Sequence, residues 1–472
     1  MRRPLGLVVA AAAVPMFMAT LDNLVVTNAL PVIRTELGGS LETLQWVVNA
    51  YTLAFATLLL TAAGLGDRLG RRRVFVGGIA LFTLASAGAA LAGDTTTLII
   101  ARALQGVGAA AIMPLSLTLL AAAVPPARRA MAIGIWGGVA GLGVAVGPLV
   151  GGAVVGGLAW QWIFWLNVPI GVLAIPLALL VLGESRGPDR VLDPLGLVLS
   201  AGGVLAVVFS VVRAADEGWG SARTVGGLVA GGLLLIGFAA WQRRAKAPLL
   251  PLRLYRSRGF SAANATSVAF SFGMFGAVFL LAQFLQVVQG LSPFEAGLRT
   301  MPWTLAPMVV APVAGIVMGR IGPRPLVVTG MVFQAAALAW LAAVTTVDVS
   351  YGSLVPPFVL AGVGMGLTFS PIAAAVITGV PDADHGKASG ANSTLREMGV
   401  ALGVAVLTAV FSAFGSYTSG AAYVDGLRPA VWLAAAIVAV GAVAATFLPT
   451  LRRSHYGSMM GSAAEENPIM VP

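Results

Sequence analysis

Asp22 stands alone in the apolar segment "FMATLDNLVVTNALP", which begins at Phe17. A carboxylate there can do two kinds of work: take up and release a proton, or neutralise a buried cation. The matching cation is Arg102, in "IIARALQGVGAA". Asp22 reads as the one acid, and Arg102 as the one base, placed deep inside an apolar span. At the rise of a helix, Asp22 lies ~16 Å from the end of its span near Ile33 and Arg102 ~8 Å from the start of its own near Thr97, a difference much of which a long arginine side chain can cover. A lone charge at the centre of a span costs at least ~2.5–3.5 kcal/mol, so such groups face a partner or a cavity. Two readings stay open: a proton-coupling site in which Arg102 tunes Asp22, or a permanent ion pair that joins two spans.

A second cluster is "GDRLGRRR", Gly66 to Arg73. Arginines in a short connection fit the charge bias of membrane insertion. That bias leaves Asp67 unexplained, because an acid at the C-terminal end of a helix opposes that helix's dipole. Asp67 is expected to serve another element, the N-terminus of a facing helix being the candidate, and Arg68, Gly70, Arg71 and Arg72 complete the cluster. A third stretch, "GLGVAVGPLVGG", sets Gly143, Gly147 and Gly151 four apart beside Gly152. That spacing admits a close helix neighbour, and Pro148 removes a backbone hydrogen bond and kinks the span. Ordinary glycine-rich packing is the alternative.

Polar groups inside spans face the bundle interior. Asn23, Thr27, Asn28, Trp46, Asn49 and Tyr51 on the first two spans, Gln283 and Gln286 on the ninth and Trp303 on the tenth are therefore candidates for a substrate cavity. Structural hydrogen bonding is the competing role for each. Arg396 and Glu397, in "NSTLREMG", are expected near the inner part of the thirteenth span, as a second gate or as a solvated end pair.

The elements that position these residues are membrane spans. Of 472 residues, 58% are hydrophobic and 10% charged, against about 25% charged in a soluble domain. Apolar runs of spanning length recur throughout, and continuous runs exclude a transmembrane barrel, whose strands alternate. Hydropathy predicts fourteen spans, the first over 6–33 and the last over 429–449. With no cysteine and two histidines, His385 and His455, both in polar connections, thiolate chemistry is excluded and no metal site is expected. The net charge of +10 is an orientation signal rather than a nucleic-acid footprint: with the N-terminus in the cytoplasm, the inner connections hold a roughly fourfold excess of cations. Both termini are then cytoplasmic, and the membrane is expected to be the bacterial inner membrane. The basic, apolar start resembles a secretory signal, but the apolar run continues past signal length and is read as an uncleaved first helix.

A repeat divides the chain. "LQGVGAAAIMP … AVPPARRA … GLGVAVGPLVGG" returns as "LAGVGMGLTFSP … GVPDADHGKASG … MGVALGVAVLTA", and "GDRLGRRRV" has a worn copy in "GRIGPRPLV". The expected domains are a six-helix bundle over 1–183, two inserted helices over 184–246, a second six-helix bundle over 247–452 and a disordered cytoplasmic tail over 453–472. Paired six-helix halves imply a transporter with its site between them near the midplane. No GxxxxGK[ST] and no large soluble segment occurs, so no bound cofactor is expected and the energy source is an ion gradient or there is none.

The motifs resemble the major facilitator superfamily, and within it the fourteen-helix drug:proton antiporters, over nearly the whole chain. "GLGDRLGRRRVF" resembles that superfamily's motif A, with Asp67, Gly70, Arg71 and Arg72 in register and Ala63 in place of the first glycine. "RALQGVGAA" resembles motif B and supplies Arg102. "GVAVGPLVGG" resembles the antiporter motif C. "LDNLVVTNALP" resembles motif D, but departs from it at Leu24, Thr27 and Asn28, and the second copy of motif A has Gly319 where the acid would stand. The resemblance implies an all-α major facilitator fold with alternating access, Asp22 as a proton site, and a latch of Asp67 and its arginines at the cytoplasmic side. It also implies that the fourth and fifth spans line the path. The function so implied is proton-driven export of hydrophobic or amphipathic small molecules, antibiotics among them, by a monomer in contact with lipid, without nucleic acid and without enzymatic chemistry. Import of a metabolite by proton symport on the same fold is the alternative, and a membrane enzyme or non-transporting sensor is the remote one.

Overall fold

The computed structural model describes residues 4–38, 41–157, 159–187, 191–378 and 380–450, a few helical positions by backbone alone. The tail expected over 453–472 lies outside them. The first group of helices is α1 (Leu5–Leu37), α2 (Leu41–Leu69), α3 (Arg71–Ala90), α4 (Thr95–Ala123), α5 (Pro126–Gly157), α6 (Trp162–Trp165) and α7 (Asn167–Val181). A hairpin of α8 (Pro194–Glu217) and α9 (Ala222–Gln242) follows. The second group is α10 (Arg258–Val287), α11 (Pro293–Ile321), α12 (Pro323–Val344), α13 (Tyr351–Ile377), α14 (His385–Phe414) and α15 (Gly420–Ala445). Thirteen segments among the described residues are long and apolar enough to cross a membrane, with α6 and α7 counted as one crossing. The 32 residues of α5 make a fourteenth. The chain is a multi-pass membrane protein.

Local chemistry sets the helix ends. Asp94, Asp193, Ser221 and Ser292 cap the starts of α4, α8, α9 and α11 by accepting from backbone N–H groups in the first turn, satisfying donors that a helix leaves free. The break between α6 and α7 falls at Leu166. Pro169 has no N–H to return to the carbonyl of Trp165, so the turn cannot close as a regular helix.

The two groups repeat one packing plan. α4 packs on α2 and α3, and α13 packs on α11 and α12; α1 packs on α5, and α10 on α14. The seam glycines show the equivalence. A Cβ on Gly106 would meet the Tyr51 carbonyl and come within 3.0 Å of the Ala54 Cβ; one on Gly362 would meet the Trp303 carbonyl and come within 2.8 Å of the Ala306 Cβ. Both helix pairs approach too closely for any side chain there. The halves are joined by α5 against α11 and α2 against α14, and α8 lies in the angle between α2 and α14.

Candidate functional site

Four helices and the α6–α7 break converge on Asp22, which is 1% exposed, beside Arg102 at 0%. Arg102 Nη1 donates to Asp22 Oδ2. Oδ1 accepts from Asn167 Nδ2 at 2.7 Å and from Gln105 Nε2 at 3.2 Å. Both amides also donate to Ser86 Oγ, at 3.4 Å and 2.7 Å. Arg102 is itself held from three sides: Nε donates to the Val47 carbonyl at 3.1 Å, Nη1 donates to Gln105 Oε1 at 2.8 Å, and the guanidinium lies 4.4 Å from the centre of the Tyr51 ring. A charge withdrawn from water needs this density of partners. Arg102 Nη2 has no hydrogen-bond partner among the described residues.

The structure therefore brings Asp22 and Arg102 together and adds Gln105, Asn167, Ser86 and Tyr51, which sequence reading did not place there. Two signals were available. Gln105 follows Arg102 by three residues and so shares its helix face. Asn167 is a lone amide in the apolar run "WLNVPIG".

The second half lacks this chemistry at the same seam. Four residues before Gly362 stands Phe358, where Arg102 stands four before Gly106, and its ring lies 5.6 Å from Trp303. Trp303, expected to line a cavity, is 2% exposed and fills the α11–α13 seam as Tyr51 fills its counterpart.

At the arginine-rich end of the bundle, here the basic face, each arginine of the second cluster has its own target. Arg71 Nε donates to Asp67 Oδ1 at 2.7 Å, and its Nη2 donates across to the Ala383 carbonyl at 3.0 Å, just before α14. Asp67 Oδ1 is the carboxylate oxygen nearest Gly386 in the first turn of α14, and the charges of Lys387 and Arg68 also act on this carboxylate. A negative group at the positive end of a helix is favourable, and the start of α14 is the helix end that stands against Asp67. Arg68 donates to the carbonyls of Gly64 (3.0 Å), Ala247 (3.2 Å) and Val191, joining α2 to both ends of the α8–α9 hairpin. Arg72 Nη1 donates to the Leu179 and Leu182 carbonyls, both at 3.1 Å, at the end of α7. Gly70 holds φ at 119°, a conformation open to glycine, at the turn from α2 into α3. Glu184 accepts from the Arg72 and Arg73 backbone N–H groups and so caps α3. Arg129 to Asp382 at 3.8 Å is a further link between the halves, and Arg253 holds Asp384 at 2.6 Å within the second half.

Other candidates sit elsewhere than expected. Trp46 packs on Phe209 and Arg213 of α8 rather than between the halves. Tyr51 is 2% exposed and donates to the Ala19 carbonyl inside the Asp22 cluster. Gln283 and Gln286 fall in the last turn of α10, at the face opposite the basic one; Gln283 accepts from Tyr417, and Gln286 is exposed and bonds its own helix. Asn23 and Asn49 are half-buried, and the side chains of Thr27 and Asn28 lie outside the described residues. Gly143 packs within its own half, where a Cβ on it would lie 3.2 Å from the Thr20 Cβ of α1. Gly147 is buried, and the side-chain positions of Pro148, Gly151 and Gly152 lie outside the described residues. The α5–α11 contact is made earlier along α5, by Gly134, Gly138 and Gly141 against Gly315, Pro312 and Pro307.

Arg396 and Glu397 are deeper than their sequence suggested. α14 begins at His385, which puts the pair ~17 Å along the helix from its start. Asp22 is thus not the one acid at depth, nor Arg102 the one base. Arg396 donates from Nε (3.3 Å) and Nη2 (3.0 Å) to a single Glu397 oxygen, and its guanidinium lies 5.4 Å from the Phe369 ring centre.

Two repeated bundles of crossing helices around buried, paired charges define a polytopic transporter. The sequence profile of the Major Facilitator Superfamily matches residues 13–404, and the chain belongs to that superfamily. It is 37% identical over 399 residues to a tetracenomycin C resistance and export protein of Streptomyces glaucescens, covering 84% of this chain and 74% of the relative. It is 38% identical over 450 residues to a cephamycin export protein of Amycolatopsis lactamdurans, covering 93% and 91%. It is also 34% identical over 440 residues to the multidrug efflux pump LfrA of Mycolicibacterium smegmatis, covering 92% and 86%. Among solved structures, the human organic anion transporter MFSD10 shares the fold with a TM-score of 0.68 at 14% identity, over 94% of this chain and 100% of that one.

Proposed function

We propose that this chain exports hydrophobic or amphipathic small molecules, antibiotics among them, in exchange for protons. Export is the activity for which its relatives at 34–38% identity are named. The proton coupling rests on one observation: a buried carboxylate, Asp22, held by three donors on other spans, in one half of a repeat whose other half carries no such group at the equivalent seam. The basic face is the cytoplasmic one, in the bacterial inner membrane, and the protein acts as a monomer without a bound cofactor.

With Asp67, Arg71 and the start of α14 engaged, the cytoplasmic ends are latched and access is from outside. A proton taken up there by Asp22 cancels the charge that Arg102 faces, which loosens the cluster and favours opening of the latch. Substrate then enters from the cytoplasmic side as the proton leaves. One inward proton supplies ~2.3 kcal/mol per 100 mV and about 1.36 kcal/mol per pH unit. Glu397, ~18 Å along α14 from its start and on the other half, is paired with Arg396 and placed to respond to substrate charge.

The test is Asp22→Asn in proteoliposomes. The variant is expected to keep downhill substrate exchange and to lose uptake driven by an imposed pH gradient. Undiminished proton-driven transport would overturn the coupling.

A further inference from the structure

The coupling reading counts Asn167 as a donor to Asp22 but gives it no part in the proton cycle. It is the first residue of α7, directly after the break at Leu166, and it is 1% exposed. Its Nδ2 makes the shorter of the two amide contacts to Asp22 Oδ1, at 2.7 Å against 3.2 Å for Gln105. Gln105 is fixed from its other end, since its Oε1 accepts from Arg102. Asn167 stands instead at an interruption in the sixth crossing, between α6 and α7.

We propose that Asn167 is a positioning residue that holds Asp22 in its ionised form and ties the sixth crossing to the first through that carboxylate. The proposal rests on the coupling reading above and names a further part of the same site. An amide N–H donated to a carboxylate oxygen favours the charged form. When a proton from water adds to Oδ1, that oxygen becomes a donor and the Asn167 N–H loses its acceptor. The donor is hydronium: one of its O–H bonds breaks as the Oδ1–H bond forms, and neutral water is left. The amide then either turns its own oxygen towards the new O–H or withdraws to Ser86 Oγ, already 3.4 Å away. Either movement changes how α7 is held to α1. The charged and titratable groups facing the carboxylate are Arg102 on α4 and Tyr51 on α2, and the charge of Glu397 on α14 reaches Tyr51. None of these is on α7, so Asn167 is the route by which α7 registers the proton.

The test needs no substrate. Infrared difference spectra of the purified full chain, titrated from alkaline to acid pH, report the band of a protonated buried carboxyl, and its loss in Asp22→Asn assigns it. Asn167→Ala is expected to move the midpoint of that band upward by about one pH unit, the worth of one hydrogen bond to a charged group. Asn167→Ser, which keeps a donor, is expected to move it less and serves if the alanine variant fails to fold. A band that titrates in the wild type with an unchanged midpoint in both variants overturns the role of Asn167. A wild type with no titrating band assignable to Asp22 overturns the coupling reading instead.

Discussion

Gly386 sits against Asp67 so closely that a Cβ on it would lie 2.8 Å from the carboxyl carbon. The first turn of α14 thus meets the end of α2 through a residue with no side chain. Gly386→Ala forces the two apart, at the about 1–3 kcal/mol typical of overpacking. The closed basic face should lose about 5- to 150-fold in population against the open one. The chain has no cysteine, so spin labels at Leu69→Cys and Pro381→Cys report the distance between halves cleanly. An unchanged distance distribution would show that this contact does not hold the gate.

Arg102→Lys is expected to behave as a disruptive change despite keeping the charge. Arg102 reaches Val47, Gln105 and Asp22 at once and lies over Tyr51, and a lysine ammonium is a point charge that cannot copy that fork. Arg102→Ala leaves a buried carboxylate unpaired and should cost about 3–5 kcal/mol, with lysine in between. Thermal unfolding in detergent checks the order. Asp22→Asn combined with Arg102→Met should recover much of the loss.

Arg68 holds both ends of the α8–α9 hairpin to α2. Hydrogen bonds to a charged donor are worth about 1.5–3 kcal/mol each, so Arg68→Ala should speed amide exchange near 191–197 and 243–250 by roughly ten- to a hundredfold. Arg68→Lys should restore little of it. Hydrogen exchange read by mass spectrometry decides, and protection equal to wild type would count against the tie.

Asp94 predicts a pH dependence. Its carboxyl is held below the usual range by the backbone N–H of Thr97 first, then by the Thr97 hydroxyl. A depressed carboxyl contributes its stability above the unfolded value and loses it as pH falls through the lowered folded value. Amide protection at the start of α4 should therefore be flat at neutral pH and drop only in strong acid. Asp94→Asn keeps the cap and should remove that drop.

The spans were legible because apolar runs must be as long as a bilayer is thick, and the pairing of Asp22 with Arg102 because buried charges seek each other. The depth of Arg396 and Glu397 was not. The first two turns of α14, "HGKASGAN", are polar and small and look like a connection by hydropathy, yet His385, Lys387 and Asn392 are buried, Asn392 against Asn264 of α10. Gln283 and Gln286 misled in the reverse direction, since an amide at the end of a span bonds to a loop or its own helix as readily as it lines a path. Trp46 faces α8 because the inserted hairpin occupies the groove that a twelve-helix plan would leave open.

That hairpin makes the two moving bodies unequal. Its directional bonds run to α2, through Arg68 at one end and the stacking of Arg213 on Trp46 towards the other. Against α14 it presents Val204 and Val208 to Met398 and Ala401. Directional bonds fix a register, whereas an apolar seam with a flexible methionine tolerates many. The hairpin is thus a counterweight riding with the first half, and its contact with α14 is a bearing: a dry surface on which the lighter half can turn without breaking a hydrogen bond at each stroke.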